Sequence, residues 1–191
     1  MTMRTFIALP VPDEIAEHLS RLHQSVPREA GRITWVGADA IHVTCTFLGE
    51  VEEDRITPIG AALERVASGI APYEMSLDGV GAFPGFRRAR VVWAGLEKGE
   101  EETVAFKLQL DEALEPLGFA VERRPFHPHI TLGRVRQPGR TGLLEHAAAE
   151  WILPYEHWLC REAVLYRSEL TRRGAIYTDL VRAPLLGRTV G

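Results

Sequence analysis

Two short segments of the sequence carry the same pair of polar residue types at the same spacing. One apolar residue separates His42 from Thr44, and one separates His129 from Thr131, 87 residues further along the chain. Residues i and i+2 of a β-strand point to the same face, so each segment would present one imidazole beside one hydroxyl. The ordinary pKa of histidine, about 6.5, lets an imidazole both accept and donate a proton near neutral pH.

Two such strands facing each other would supply the chemistry for opening a phosphodiester with water. A neutral imidazole would take a proton from the water, and a protonated imidazole would give one to the leaving alkoxide, each transfer accelerating the reaction by about 10²–10⁴. Charge on the non-bridging phosphate oxygens needs preorganised donors, for which Thr44, Thr131 and Arg134 are the candidates. This chemistry requires no metal ion. The residues alone do not decide which histidine is the acid.

Repetition gives this pattern its weight. A single His-x-Thr occurs often by chance, and a lone histidine on a strand is usually structural. Here both copies are followed by a glycine, Gly49 in the first and Gly133 in the second. Both copies also lie at corresponding places in a repeated order of predicted elements. The repetition favours a catalytic pair of histidines over two structural ones.

The elements predicted around the two segments follow the same order in each half of the chain. Apolar runs, helical spacing and turn residues predict a helix, a histidine strand, a second helix and two further strands. The predicted ranges are a strand at 6–9, a helix over 15–22, a strand at 41–48, a helix over 56–67, strands at 74–80 and 89–96, a helix over 100–117, a strand at 129–132, a helix over 143–151, and strands at 158–170 and 175–183 joined by a turn at Arg172, Arg173 and Gly174.

This repeated order indicates an internal duplication that forms two lobes. No Ser/Gly-rich linker divides the lobes, so we expect residues 1–191 to form a single domain. Clefts between lobes are usual ligand sites. We therefore expect the two histidine strands to line one cleft.

Composition narrows the class of protein further. The chain has 191 residues, of which 46% are hydrophobic and 25% charged, as in ordinary globular proteins. Its net charge of −4 excludes the overall positive field that coats nucleic acids, so any such contact must be local. Cys45 and Cys160 are too few for a disulfide framework, and no apolar segment is long enough for a signal peptide or a membrane span. These features predict a cytoplasmic protein.

In their wider context the two histidine segments resemble the two-histidine phosphoesterase superfamily, and within it the bacterial and archaeal RNA 2′,3′-cyclic phosphodiesterases first described as 2′-5′ RNA ligases. The resemblance spans nearly the whole chain. It rests on residues 4–9, Trp35 and Val36, residues 42–50, Phe83 and Pro84, Val92 and Trp93, residues 126–134, Ser168 and Tyr177.

This resemblance implies an α+β fold in which two pseudo-symmetric lobes with antiparallel sheets surround a central cleft. It also implies metal-independent hydrolysis of an RNA-terminal 2′,3′-cyclic phosphate to a 2′-phosphate, without a cofactor. By the family's pattern, His42 would be the proton donor to the leaving 3′ oxygen and His129 the proton acceptor that activates water. The reverse reaction would join RNA ends through a 2′-5′ linkage.

Other residues of interest receive plainer interpretations. His127 and His129 form a His-x-His pair of a kind that binds metals in other hydrolases, but no carboxylate lies near them in sequence, so we expect no metal site. The segment 83–90 combines aromatic residues with arginines as RNA-binding loops do, although an ordinary exposed loop is the simpler interpretation. Phe47 and Phe126 are predicted to pack in the core rather than against bases.

Two alternatives for the function stay open at this stage. The substrate could be a small cyclic nucleotide or an ADP-ribose cyclic phosphate. An enclosed pocket would favour such a molecule, whereas a basic track leading from the histidines would favour RNA. The protein could also be a non-catalytic module that binds RNA ends, although both intact His-x-Thr pairs argue against this. Since one chain would build the cleft, we expect a monomer with no obligate protein partner.

Overall fold

The computed structural model describes residues 1–140, 142–153, 157–171 and 174–188. Within these residues the strands are β1 (Thr2–Pro10), β2 (Gly31–Trp35), β3 (His42–Glu52), β4 (Tyr73–Met75), β5 (Leu77–Phe83), β6 (Val91–Leu96), β7 (His129–Pro138), β8 (Trp158–Cys160), β9 (Glu162–Thr171) and β10 (Gly174–Pro184). The α-helices are α1 (Asp13–Ser20), α2 (Ile56–Ser68), α3 (Glu100–Leu114) and α4 (Leu143–Glu150). The predicted turn at Arg172 and Arg173 lies outside the described residues.

The main sheet consists of two antiparallel half-sheets. Its strands follow the order β10-β9-β1-β3-β7-β6-β5, and β2 pairs with β7 beside this path. Strands β10, β9, β1 and β3 form one half-sheet, while β7, β6, β5 and β2 form the other. The halves join where Val43 of β3 pairs with Ile130 of β7. An α+β fold with antiparallel sheets is thereby confirmed.

One face of each half-sheet is covered by helices. Helix α2 lies against β9 and β10, α3 packs against α2 and β3, and α4 lies against β5. Val43 and Ile130 are fully buried and belong to one hydrophobic cluster that contains residues from both halves of the chain. The junction between the half-sheets is therefore anchored in the core.

Two of the predicted strands are divided in the structure. The predicted strand 74–80 becomes β4 and β5, and the predicted strand 158–170 becomes β8 and β9. Strands β4 and β8 leave the main sheet and pair with each other, from Tyr73 opposite Cys160 to Met75 opposite Trp158. This pairing joins segments about 85 residues apart, which a local sequence pattern cannot reveal.

Two further differences have local causes. Strand β2 is absent from the predicted elements, because only Ile33 and Trp35 among its five residues are strongly apolar. Helix α3 ends at Leu114, and the chain continues as a 3₁₀ turn over Glu115–Leu117. Pro116 lacks the backbone N–H that a further α-helical turn would use. In the described part of the chain, no helix is long and apolar enough to cross a membrane.

Candidate active site

The pairing of Val43 with Ile130 brings the two predicted segments to one face of the sheet. Both apolar residues point into the core. Side chains alternate along a strand, so the residues on either side of them point to the opposite face. We call this surface the histidine face, and it carries four half-buried side chains, those of His42, Thr44, His129 and Thr131. The structure thus brings all four predicted residues together.

A backbone carbonyl holds each imidazole. The Nδ1 atom of His129 lies 2.8 Å from the carbonyl oxygen of His127, and the His42 ring bonds to the backbone of Ala40. A carbonyl oxygen only accepts, so Nδ1 of His129 must donate its proton. Its Nε2 atom is consequently the one free to exchange a proton with a substrate. The backbone contact of His127 also shows how the His-x-His segment orients its second imidazole.

Burial makes both histidines weaker bases than usual. It lowers the pKa of His42 to about 4, with a smaller contribution in the same direction from His129. Burial likewise lowers the pKa of His129, and the nearby Arg134 guanidinium lowers it further. Lowered values mean that both imidazoles are neutral at pH 7 in the free protein.

Aromatic rings enclose His42. Ring centroids of Phe6, Tyr177 and Tyr166 lie 4.9, 5.3 and 6.3 Å from that of the imidazole. Burial raises the pKa of Tyr166 to about 12 and also raises the pKa of Tyr177. Both phenols therefore keep their protons at neutral pH and can act as hydrogen-bond donors.

His129 has an aromatic wall of its own. The ring centroid of Phe83 lies 5.1 Å away and that of Trp93 lies 6.4 Å away, both in edge-to-face arrangements. Gly81 leaves space for the Trp93 indole, since a Cβ atom on Gly81 would fall 2.2 Å from an indole carbon. The rings around both histidines account for the burial that lowers their pKa values.

A β-bulge follows each His-x-Thr segment. On β3, Thr44 pairs with Ala8 and Thr46 with Ile7, so Cys45 is an extra residue without an opposite partner. On β7, Leu132 is the extra residue between two consecutive pairs with β6. The two bulges lie 87 residues apart, the same spacing as the histidines. The duplication therefore extends to the irregularities of the strands.

The bulges turn one further residue of each strand onto the histidine face. Without a bulge, Arg134 would point away from Thr131. With the bulge, Arg134 pairs with Val91, and Thr131 pairs with Trp93. Val91 and Trp93 are two residues apart and share a face, so Arg134 and Thr131 share it too. The structure therefore places Arg134 on the histidine face, where a substrate phosphate contact was predicted.

Phe47 occupies the equivalent place on β3. It pairs with Phe6, its ring centroid lies 5.9 Å from that of Phe6, and 62% of its surface is exposed. The prediction that Phe47 packs in the core was wrong. Strict alternation of side chains along β3 ignores the bulge at Cys45 and therefore assigns Phe47 to the wrong face of the sheet. Cys45 itself is buried.

The other residues singled out in the sequence are Phe126 and the segment 83–90, of which Phe83 contacts His129. Phe126 is half-buried, with the Lys107 ammonium 5.8 Å from its ring centroid. In the segment 83–90, Arg87, Arg88 and Arg90 are exposed. Among the described residues, no group of three or more His, Cys, Asp or Glu side chains could hold a metal ion.

Sequence reasoning missed the aromatic residues as functional groups. Phe6, Tyr166 and Tyr177 come from β1, β9 and β10, and only the pairings of β3 with β1, β1 with β9 and β9 with β10 bring them to His42. Alternation along each strand gives the relative orientation of its side chains. It does not show which strand lies alongside.

This site is equipped to bind and protonate an anionic ester. Two imidazoles with carbonyl-held rings, two threonine hydroxyls and one arginine lie on one partly enclosed face. Such a set can accept a proton from one oxygen, donate a proton to another, and hold the negative oxygens of a phosphate between them.

Comparison with known proteins gives a consistent picture. The family of LigT-like phosphoesterases matches the chain over residues 9–93 and 96–177. An RNA 2′,3′-cyclic phosphodiesterase of Methanothermobacter thermautotrophicus is 33% identical over 181 residues, which cover 94% of this chain and 97% of that protein. Matched segments therefore include both histidine strands.

Solved structures agree with the sequence comparison. A protein of Thermus thermophilus is 30% identical and superposes with a TM-score of 0.81, over 97% of this chain and 100% of the other. Escherichia coli LigT, crystallised with 3′-AMP, is 30% identical and superposes with a TM-score of 0.76, over 97% of this chain and 99% of the other. The similarity thus extends from sequence to tertiary structure.

Proposed function

The chain belongs to the family of LigT-like phosphoesterases and is a cyclic phosphodiesterase, and from this premise we propose that it opens RNA-terminal 2′,3′-cyclic phosphates to 2′-phosphates. The observation that carries the proposal is the pairing of Val43 with Ile130, which sets His42 and His129 on one face. The relatives' named activity also favours an enzyme over a non-catalytic RNA-end-binding module.

In the proposed step, water attacks phosphorus and the bond from phosphorus to the 3′ oxygen breaks. His129 accepts a proton from the water through Nε2, the nitrogen left free by the bond of Nδ1 to the His127 carbonyl. His42 donates its proton to the departing 3′ oxygen. The products are a 2′-phosphomonoester and a 3′-hydroxyl, and the two imidazoles have exchanged protonation states. With a 5′-hydroxyl in place of water as the nucleophile, the same step forms a 2′-5′ linkage.

The substrate itself supplies the condition for His42 to act as an acid. In the free protein, burial keeps His42 neutral at pH 7 by lowering its pKa to about 4. A bound phosphate places a negative charge beside the imidazole and favours its protonated form. By the family's pattern His42 is the proton donor. His42 must therefore take up its proton when the substrate binds.

Neutral and positive donors on the histidine face would hold the phosphate. Thr44 and Thr131 stand beside the two imidazoles, and Arg134 reaches the same face through its bulge. Donors already in place need no reorganisation as charge develops on the non-bridging oxygens. This arrangement requires neither a metal ion nor a cofactor.

The exposed ring of Phe47 would receive the base of the terminal nucleotide. Its ring lies beside Phe6, which in turn contacts His42. A ring 62% exposed next to a buried imidazole is a stacking surface for a planar base whose ribose lies over the histidines. The LigT relative that was crystallised with a mononucleotide supports a nucleotide-sized site.

Hydrolysis of an RNA oligonucleotide with a 2′,3′-cyclic phosphate end, in excess EDTA, tests this proposal. We expect a 2′-phosphate product from the unmodified protein, and a loss of at least about 10² in rate for His42→Ala and for His129→Ala. His146→Ala, a change in an exposed histidine of α4, serves as the matched control. Full activity in either active-site variant would remove that histidine from the mechanism, and inhibition by EDTA would overturn metal independence.

A second substrate tests which histidine is the general acid and which is the general base. When sulfur replaces the bridging 3′ oxygen, the leaving group departs without a proton, so the substrate no longer needs the general acid. We expect this substrate to restore most of the rate lost in His42→Ala and none of the rate lost in His129→Ala. Restoration in His129→Ala instead would reverse the two assignments.

We propose that the protein acts as a monomer in which residues 1–191 form one domain. Both histidine strands come from the same chain, and one hydrophobic cluster contains residues from both halves. A cytoplasmic location stays a prediction.

A further inference from the structure

We propose that arginines on β2 and β7 bind the RNA backbone on the 5′ side of the cyclic phosphate. The inference rests on the proposed function and specifies its substrate as an oligonucleotide strand rather than a small molecule. The surface concerned consists of Arg32, Arg134 and Arg136, which we call the arginine ribbon. Arg134 begins it next to the histidines, while Arg136 and Arg32 continue it away from them.

Strand pairing places the ribbon on the histidine face. Thr34 of β2 pairs with Arg134 of β7, and paired residues share a face. The Nε atom of Arg136 lies 3.2 Å from the Thr34 hydroxyl oxygen and donates to it, so this side chain also reaches the face. Arg32 precedes Thr34 by two residues on the same strand and therefore points the same way. The three guanidinium groups thus continue the surface that begins at the imidazoles.

The charges of the ribbon are exposed and unneutralised. All three arginines are exposed, and within the described ranges none has a carboxylate within 4.0 Å. By contrast, Arg167 and Arg182 each pair with carboxylates elsewhere on the sheet. In a chain with a net charge of −4, a local group of unpaired arginines is a surface suited to a polyanion. The planar guanidinium fork matches phosphate oxygens in particular.

The length of the ribbon indicates the kind of polyanion. Arg136 lies seven residues beyond His129, which corresponds to about 20 Å along a strand. A mononucleoside cyclic phosphate held at the imidazoles does not extend that far. A ligand that occupies both places must continue beyond its terminal nucleotide, as an RNA strand does.

Additional arginines flank the far end of the ribbon. Arg87, Arg88 and Arg90 are exposed on the connection between β5 and β6. The carbonyl oxygen of Arg90 accepts a hydrogen bond of 2.9 Å from the Val135 amide, which fixes this connection beside β7. The local positive charge therefore increases in the direction in which the proposed strand would run.

Dependence of KM on substrate length tests the inference. We would compare a mononucleoside 2′,3′-cyclic phosphate with oligoribonucleotides of increasing length that end in the same nucleotide. For the unmodified protein, KM should fall as the strand lengthens. In the double variant Arg32→Ala/Arg136→Ala, most of this decrease should disappear. Arg65→Ala, which removes an exposed arginine of α2, is the control for loss of an arginine outside the ribbon and should keep the length dependence.

Salt dependence gives a second, quantitative readout. Each phosphate contact to a single strand contributes about 0.7 to the slope of log affinity against log salt concentration. Removal of two contacts should therefore reduce the slope for the oligonucleotide by about 1.4 in the double variant. The slope of Arg65→Ala should match that of the unmodified protein.

Several outcomes would overturn the inference, and they are distinct from failure of the proposed function. Equal KM values for the mononucleoside and the oligonucleotides would show that the enzyme takes a small substrate, with its activity intact. An unchanged length dependence or salt slope in the double variant would exclude the ribbon as the binding surface. If no substrate is turned over, the proposed function fails. Fluorescence anisotropy of a labelled oligonucleotide with a 2′-phosphate end then tests the ribbon directly, and equal affinity of the two proteins would refute it.

Discussion

Val43 and Ile130 pair across β3 and β7, and through this pair the two half-sheets meet. Both side chains are fully buried, while their neighbours on each strand carry the imidazoles and hydroxyls of the opposite face. The relative position of the two imidazoles, which we propose to be catalytic, is thus set by apolar packing beneath them. Packing at this pair should therefore affect catalysis as well as stability.

A cavity at this junction should lower kcat more than an equal cavity elsewhere. Val43→Ala and Val51→Ala each shorten a buried valine of β3 that belongs to the hydrophobic cluster, and each should destabilise the protein by about 2 kcal/mol. Only Val43→Ala lies under the histidines, so we expect it to reduce kcat several-fold more than Val51→Ala does. Urea unfolding together with steady-state kinetics measures both effects. An equal kcat in the two variants would mean that the pair has no positioning role.

The pH dependence of kcat/KM should reflect the lowered pKa values of His42 and His129. Burial lowers the pKa of His42 to about 4 and also lowers that of His129, so both limbs of kcat/KM should lie below pH 6.5. Above this range neither imidazole of the site carries a proton to donate. Below both pKa values neither of them remains neutral to accept one. The two limbs belong to the pair rather than to single residues.

The pH profile of kcat should differ from that of kcat/KM. Bound phosphate favours the imidazolium form, so the alkaline limb of kcat should shift to higher pH. Rates measured across the pH range with chemistry limiting would show both profiles. A kcat/KM optimum on the alkaline side of neutrality would contradict the lowered pKa values.

Burial of His42 should also make the protein sensitive to acid. Its folded-state pKa of about 4 lies below the unfolded value near 6.5, so the unfolded chain binds the proton more readily. The stability associated with neutral His42 is present above pH 6.5 and decreases by about 3 kcal/mol as pH falls to 4. His42→Gln, which cannot gain this charge, should lose that part of the pH dependence. Urea unfolding at several pH values would reveal parallel curves if the prediction were wrong.

Phe47 should contribute to binding rather than to folding. Its ring is 62% exposed, so Phe47→Ala should leave the free energy of unfolding nearly unchanged. Loss of one stacked base costs about 1–3 kcal/mol, which corresponds to an increase in KM of about 5- to 150-fold. Phe47→Tyr keeps the ring and should retain the KM of the unmodified protein. Leu108→Ala, at another exposed apolar residue, controls for loss of surface area, and an equal KM in it and Phe47→Ala would argue against stacking.

Removal of one partner of a buried ion pair on α3 should lower the free energy of unfolding. Lys107 and Asp111 of α3 form a salt bridge with both side chains 6% exposed, and the Thr46 hydroxyl of β3 donates to the carboxylate at 3.4 Å. Removing one partner, as in Lys107→Met, leaves a buried charge unpaired and should cost about 3–5 kcal/mol. The double variant Lys107→Met/Asp111→Leu should recover much of this loss. Chemical denaturation of the unmodified protein and the two variants measures these differences, and a double variant no more stable than Lys107→Met would contradict the prediction.

The grouping of the candidate site residues could be predicted from the sequence because it depends on residue types and short spacing. His42 and Thr44, and likewise His129 and Thr131, share a face whenever they lie on a strand, whatever that strand pairs with. Their repetition 87 residues apart indicated a duplicated unit, and the comparisons confirm the family. Helices and strands with strong periodicity were predictable for the same local reason.

The surroundings of the imidazoles depended on tertiary structure. Phe47 and Arg134 lie on the histidine face because bulges at Cys45 and Leu132 shift the alternation of their strands. A bulge is visible only against the strand beside it, and a single sequence does not state which strands are neighbours. The aromatic enclosure of His42 likewise comes from strands far apart in the chain. Local sequence determines which groups a strand carries, whereas long-range pairing decides which of those groups meet and how deeply they are buried.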